Sequence, residues 1–146
     1  MLDPCTFVIF GSTGNLSKRK LLPALYHLEA ANRLPDEMKI IGFGRRDWSD
    51  DQWRTEVKEI LSPQVREGID EAIFTKFSKR LHFLKGDLKN KDSFKELSNK
   101  VENSDAFPKN VVFYMSIRPA QYTQVVKNLA SADLLLEEIG RAPCRQ

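Results

Sequence analysis

Two glycines three residues apart, Gly11 and Gly14, follow the apolar run Thr6-Phe7-Val8-Ile9-Phe10 and precede a stretch with leucines at helical spacing. A glycine turn between a strand and a helix gathers backbone N–H groups at the positive end of the helix dipole, where a diphosphate is stabilised. Side chains would block both the tight turn and the close approach of backbone to phosphate. Ser12 and Thr13 add hydroxyl donors to the same loop. The spacing alone also suits a structural turn; the strand-turn-helix context favours nucleotide binding.

A second cluster bears on which nucleotide. In units of this kind a free ribose 2′-hydroxyl usually meets an acid near the end of the second strand, and a 2′-phosphate meets arginine. Here Lys39-Ile40-Ile41-Gly42-Phe43-Gly44 runs into Arg45-Arg46, with no acid before Asp47. A guanidinium fork matches a phosphate and stacks on adenine, so NADP is favoured over NAD; two solvated arginines in a turn are the alternative. Lys18-Arg19-Lys20 sits just after the glycine loop, where cations oppose the helix dipole. An anionic ligand would explain them, and on spacing alone a solvated charge run explains them equally well.

The elements that must position these groups alternate along the chain. Thr6–Phe10 reads as a strand buried on both faces, and the leucine pattern from Leu16 to Asn32 as a helix, with Pro23 in an early turn and Pro35 forbidding continuation. The run at 39–44 is a second strand. Ser49-Asp50-Asp51-Gln52 has the form of a capping box and predicts a helix to about Leu61, and Ile69, Ile73 and Phe77 predict another over 65–78. Leu81–Lys85 is a third strand, Asp92–Val101 a charged helix, and Asn110–Ser116 the fourth strand, with Pro119 opening a helix to about Ala130. Such alternation predicts an α/β fold: a doubly wound, mainly parallel Rossmann-type sheet with helices on both faces.

Composition fits one globular domain of 146 residues, 41% hydrophobic and 29% charged. A formal charge of +3, with basic and acidic residues interspersed, does not suggest nucleic acid or a membrane surface as a partner. No apolar run approaches a membrane span, and Met1-Leu2-Asp3-Pro4 does not look like a secretory signal, so a cytoplasmic location is expected. Cys5 and Cys144 make no disulfide framework, Cys5 reading as a small apolar strand residue, and no His or Cys cluster has metal-ligand spacing.

At greater length, Gly-x-x-Gly-x-Leu-x-x-Arg-Lys-Leu-x-Pro-Ala-Leu from Gly11 to Leu25 resembles the coenzyme signature of the glucose-6-phosphate dehydrogenase family. Ile41-Gly42-Phe43-Gly44-Arg45 resembles that family's second strand, and Tyr114-Met115-Ser116, with Pro119 and Tyr122 behind, its fourth-strand loop. The resemblance runs to about Glu137. It implies oxidation of carbon 1 of glucose 6-phosphate, hydride passing to NADP to give the lactone and NADPH, the step that opens the oxidative pentose phosphate pathway, in an enzyme that is homo-oligomeric at full length. It further implies that Gly11, Ser12, Thr13, Gly14, Asn15 and Leu16 line the diphosphate and that Arg45, helped by Arg46, holds the 2′-phosphate. Tyr114 and Met115 would flank the coenzyme, and Lys20 would reach the sugar substrate.

Three departures stand out. Asn15 replaces an aspartate common in relatives, which removes one charge beside the phosphates, and Arg118 replaces a small residue or proline with a long cation that is expected to alter coenzyme contacts. Residues 138–146 fit no strand and resemble a translated adapter junction, so an incomplete NADP-binding domain over 1–137 and an artefactual tail are expected, truncated before the family's last strands, its substrate phosphate site and its histidine base. Among residues present, His27 reads as buried in helical spacing and His82 as part of the third strand, so neither is a candidate base and the chain alone is expected to be inactive. Two rivals remain. A short-chain-type NADP reductase wants a third glycine and a Tyr-x-x-x-Lys pair, whereas position 17 is serine and Tyr26, Tyr114 and Tyr122 lack lysine four residues on. A noncatalytic NADP-binding module is the other.

Overall fold

A computed structural model of the chain describes residues 4–12, 14 and 17–132. Four strands, β1 (Thr6–Phe10), β2 (Lys39–Gly44), β3 (Leu81–Lys85) and β4 (Val111–Met115), form one sheet in the order β3-β2-β1-β4, every neighbouring pair parallel. The chain walks outward from β1 to β3, then returns to the other side of β1 for β4. That reversal opens a crevice at the carboxyl ends of β1 and β4, the switch point at which doubly wound sheets take their ligands.

The strands are apolar throughout because both faces are covered. Alternation on β1 sends Val8 and Phe10 to one cluster and Ile9 to the other. On the first face, Phe94, Leu97 and Val101 of α4 (Lys91–Glu102) and Val125 and Leu129 of α5 (Tyr122–Ser131) pack on the sheet. The second face is covered by α1 (Leu22–Ala30), α2 (Asp50–Leu61) and α3 (Glu71–Ser78), through Leu22, Leu25, Trp53, Val57 and Phe77.

Several expected elements change shape for identifiable reasons. The single helix expected from Leu16 begins instead as a wide π-helical turn, Ser17–Leu21, before α1. Pro23 lies in the first turn of α1, where it lacks an N–H and its ring would crowd the carbonyl four residues back. The helix ends as a left-handed cap: Asn32 takes φ 58°, its N–H donates to the Glu29 carbonyl, and the Arg33 N–H donates to the Leu28 carbonyl. The helix expected over 65–78 shortens to α3, because Gly68 at φ 85° interrupts it and the Asp70 carboxylate caps the Ala72 and Ile73 N–H groups. Pro119 opens a 3-10 turn, Pro119–Gln121, that leads into α5. His27, expected buried, is exposed on α1, as is Leu28; Leu22, Leu25, Tyr26 and Glu29 carry the buried stripe.

Two polar clusters fasten the sheet away from its carboxyl ends. β3 is an edge strand, and α2 satisfies its free side: Asp50 Oδ1 accepts the Phe83 N–H at 2.7 Å, and Arg54 Nε donates to the Leu81 carbonyl at 3.0 Å. The capping box is formed as the sequence predicts, Ser49 Oγ accepting from Gln52 N–H and Gln52 Oε1 from Ser49 N–H. At the amino ends of the strands, Arg80 and Glu29 form a buried ion pair with Nε to Oε1 at 2.5 Å, and Arg80 also donates to the Pro35 and Met38 carbonyls. Removing one partner strands the other charge. Glu29→Ala should therefore cost about 3–5 kcal/mol in urea unfolding, and a loss below about 1 kcal/mol would show that water reaches Arg80.

His82 lies beside this edge, Nδ1 3.1 Å from Asp50 Oδ2 and its ring edge-on to Phe107. Burial pulls the imidazole below its ordinary range, and the Asp50 carboxylate offsets only part of that. For Asp50, burial pushes upward, but bonds from the Phe83 N–H and His82 outweigh it and the net shift is downward. Both folded-state values are depressed, so both groups favour the fold at higher pH and withdraw that support on acidification. Between about pH 7 and pH 5, where an unfolded histidine takes up its proton, the wild-type thermal midpoint should fall more steeply than that of His82→Phe. Parallel profiles would remove His82 from the account.

Candidate functional site

The loops after all four strands meet at the carboxyl end of the sheet around a cleft of about 700 Å³. Its floor is the turn after β1. Gly11 has φ 84°, and a Cβ there would lie 2.1 Å from the Ser116 carbonyl oxygen, so no other residue lets β1 and β4 close at this point. The turn is fixed from within: the Gly14 N–H donates to the Gly11 carbonyl at 2.9 Å, Ser17 Oγ donates to that same carbonyl, and the Lys18 N–H donates to the Gly14 carbonyl. Ser116 N–H in turn donates to the Phe10 carbonyl at 2.9 Å, tying the two strand ends together.

Ser12 is buried and its hydroxyl donates to the Phe43 carbonyl at 3.3 Å. Its proton is thus committed to bracing the loop against β2, and Ser12 is not among the residues that line the cleft. Gly11 and Gly14 line the cleft; Thr13, Asn15 and Leu16 lie outside the described residues, as does the segment 138–146.

The two arginines after β2 part company. Arg45 is exposed and lines the cleft, whereas the Arg46 guanidinium lies 5.4 Å over the Trp48 ring. Trp48 in turn packs on Phe83. Lys20 is exposed on the π-helical turn and is not among the cleft-lining residues; that turn is tied to the end of α2 by Gln64 Nε2, which donates to the Lys18 carbonyl at 3.0 Å. Tyr114 and Met115 do not line the cleft either. Tyr114 stacks at a tilt on Phe7, and Met115 is buried in the core beneath α4 and α5, while the next residues, Ser116 and Ile117, form the wall.

The cleft also holds Lys89, which no sequence motif marks, and Arg118, one of the departures from the family pattern. Lys89, after β3, and Arg118, after β4, line it with Arg45, and none of the three side chains has a carboxylate partner among the described residues. Asp87 is its one carboxylate among the described residues, with Oδ1 accepting the Lys89 N–H. The Ser116 hydroxyl is buried with no hydrogen-bond partner among the described residues. A rule of position, that each loop beyond a strand's carboxyl end faces the ligand, would have found Lys89. The arrangement suits an anion: glycine backbone at the turn after β1 shares the cleft with three cations that have no carboxylate partner among the described residues. Among the described residues no His, Cys, Asp and Glu cluster could hold a metal ion, and no helix is long and apolar enough to cross a membrane.

Known proteins with this arrangement are consistent among themselves. The glucose-6-phosphate dehydrogenase NAD-binding domain matches residues 8–142. Glucose-6-phosphate 1-dehydrogenase of Dickeya dadantii is 35% identical over 130 residues, covering 89% of this chain and 26% of that protein. The Chlamydia pneumoniae protein of the same name is 35% identical over 129 residues, covering 86% and 25%. The crystal structure of glucose-6-phosphate 1-dehydrogenase from Mycobacterium avium superposes with a TM-score of 0.79 at 32% identity, over 91% of this chain and 28% of that one. A glucose-6-phosphate dehydrogenase in complex with its substrate glucose-6-phosphate gives 0.80 at 26% identity, over 98% and 30%. The chain thus spans about a quarter of the length of the relatives it matches. Cleft, sheet order and sequence match agree, and the chain belongs to the glucose-6-phosphate dehydrogenase family, corresponding to its NAD-binding domain.

Proposed function

We propose that this chain is the coenzyme-binding part of a glucose-6-phosphate dehydrogenase and that its coenzyme is NADP. One observation carries the reading: an exposed Arg45 with no carboxylate partner among the described residues shares a cleft with Gly11 and Gly14. The diphosphate lies over the cradle, where converging amides neutralise it without a clashing side chain. The adenosine 2′-phosphate meets Arg45, whose planar fork suits a phosphate dianion. Arg46 stacked on Trp48 extends a flat cationic surface beside it. Ser12, Thr13, Asn15 and Leu16 belong to the same cradle, and Tyr114 and Met115 act from behind Ser116 by supporting the wall on the nicotinamide side.

In this reading the coenzyme accepts a hydride from carbon 1 of glucose 6-phosphate in the full-length enzyme, giving the lactone and NADPH. Lys20 supplies a cation toward the sugar. A cytoplasmic location and a homo-oligomeric full-length enzyme go with the same assignment.

The test is thermal. NADP at about a hundred times its Kd should stabilise the fold by about 2.7 kcal/mol. Arg45→Ala should weaken NADP by about ten- to a hundredfold, the worth of a charged hydrogen bond, and leave NAD unchanged. Equal loss of both coenzymes, or of neither, would sink the assignment of NADP to Arg45.

Turnover needs more than coenzyme. Taking the hydride from a hemiacetal carbon requires a base for the hydroxyl proton, a group contributing about 10² to 10⁴-fold. The one carboxylate of the cleft, Asp87, lies after β3, on the adenosine side, and His82 is held by Asp50. The purified 146-residue chain given glucose 6-phosphate and NADP should therefore form no measurable NADPH by absorbance, and normal production would overturn this division of labour.

A further inference from the structure

The cleft has a cation on each flank of its glycine cradle, and the two flanks have different chemistry to serve. Sheet order puts the Arg45 loop after β2 and the Arg118 loop after β4 on opposite sides of the loop after β1. With the 2′-phosphate at Arg45, a dinucleotide crosses the cradle and its nicotinamide half runs toward β4. The anion nearest the β4 flank is then the nicotinamide-side phosphate of the diphosphate.

We propose that Arg118 binds that phosphate, so that it raises affinity for dinucleotides without regard to the 2′-phosphate. The proposal rests on the dinucleotide reading above. Its backbone is preset: Pro119 disfavours a helical conformation for the residue before it, Arg118 is extended at φ −68° and ψ 145°, and its N–H donates to Gln121 Oε1 at 3.3 Å. The side chain is exposed, lines the cleft and has no carboxylate partner among the described residues. A pinned backbone carrying a free guanidinium is suited to a ligand, because little order remains to be imposed on binding. A second observation points to the same flank. The Ser116 hydroxyl, two residues earlier on the cleft wall, is buried and unpartnered, which a polar ligand atom at this end would correct.

The discriminating experiment measures Kd for NADP, NAD and adenosine 2′,5′-bisphosphate on the wild-type chain, Arg118→Ala and Arg118→Lys. Adenosine 2′,5′-bisphosphate keeps the 2′-phosphate and the adenosine-side phosphate and lacks the one assigned to Arg118. Arg118→Ala should weaken NADP and NAD by the same factor, roughly three- to twentyfold at low salt, and leave the bisphosphate unchanged. Arg118→Lys should lose less, since it keeps the charge without the fork. Unchanged dinucleotide affinity in Arg118→Ala, or an equal loss for the bisphosphate, would overturn the assignment. Wild-type chain that binds none of the three ligands would instead remove the dinucleotide reading and this inference with it.

Discussion

The contact between Gly11 and the Ser116 carbonyl is the constraint from which the site follows. Here the loops touch, and an added Cβ would lie 2.1 Å from the carbonyl oxygen. That contact closes the switch point from below, and the glycine backbone at Gly11 and Gly14 lines the cleft above it. Ser17 Oγ, the Gly14 N–H and the Ser116 N–H hold the contact with three hydrogen bonds of 2.9 Å each.

The rest of the structure divides into a part that makes the sheet rigid and a part that decorates its carboxyl end. Stability is concentrated elsewhere: the Arg80–Glu29 pair fastens the amino ends of the strands, and Asp50 and Arg54 close the free side of β3. Neither cluster contributes a residue to the cleft. That separation has a physical reason. Buried charges must be saturated with partners to be tolerated, whereas cations that bind a ligand must be left unpaired, so the two uses cannot share residues. Arg80 has carboxylate and carbonyl partners on all sides, while Arg45, Lys89 and Arg118 have no carboxylate partner among the described residues.

Arg45 and Arg46 illustrate how adjacency in sequence conceals different roles. They are neighbours of one type, and composition gives no ground for separating them. The backbone turn after β2 directs one into the cleft and the other onto Trp48, and the cation–π contact then competes with any phosphate for the second guanidinium. Lys18-Arg19-Lys20 is a related case: three cations beside the glycine loop lie on a π-helical turn set by Pro23 and braced by Gln64, and none of them lines the cleft.

Sequence by itself determined the alternation of strands and helices, the glycine turn and the capping box at Ser49, because each is written in residues at most a few positions apart, and the alternation in turn implied parallel strands joined by helical crossovers. The family signature from Gly11 to Leu25 is likewise local. Only the tertiary structure decided that His27 faces water and that Glu29 finds Arg80 fifty-one positions away. It also decided which cations share the cleft, since Arg45, Lys89 and Arg118 come from three loops that meet only when the strand order β3-β2-β1-β4 is formed. Long-range juxtaposition depends on how strands are ordered in the sheet, and hydrophobic periodicity, which fixes the period of each element, carries no information about that order.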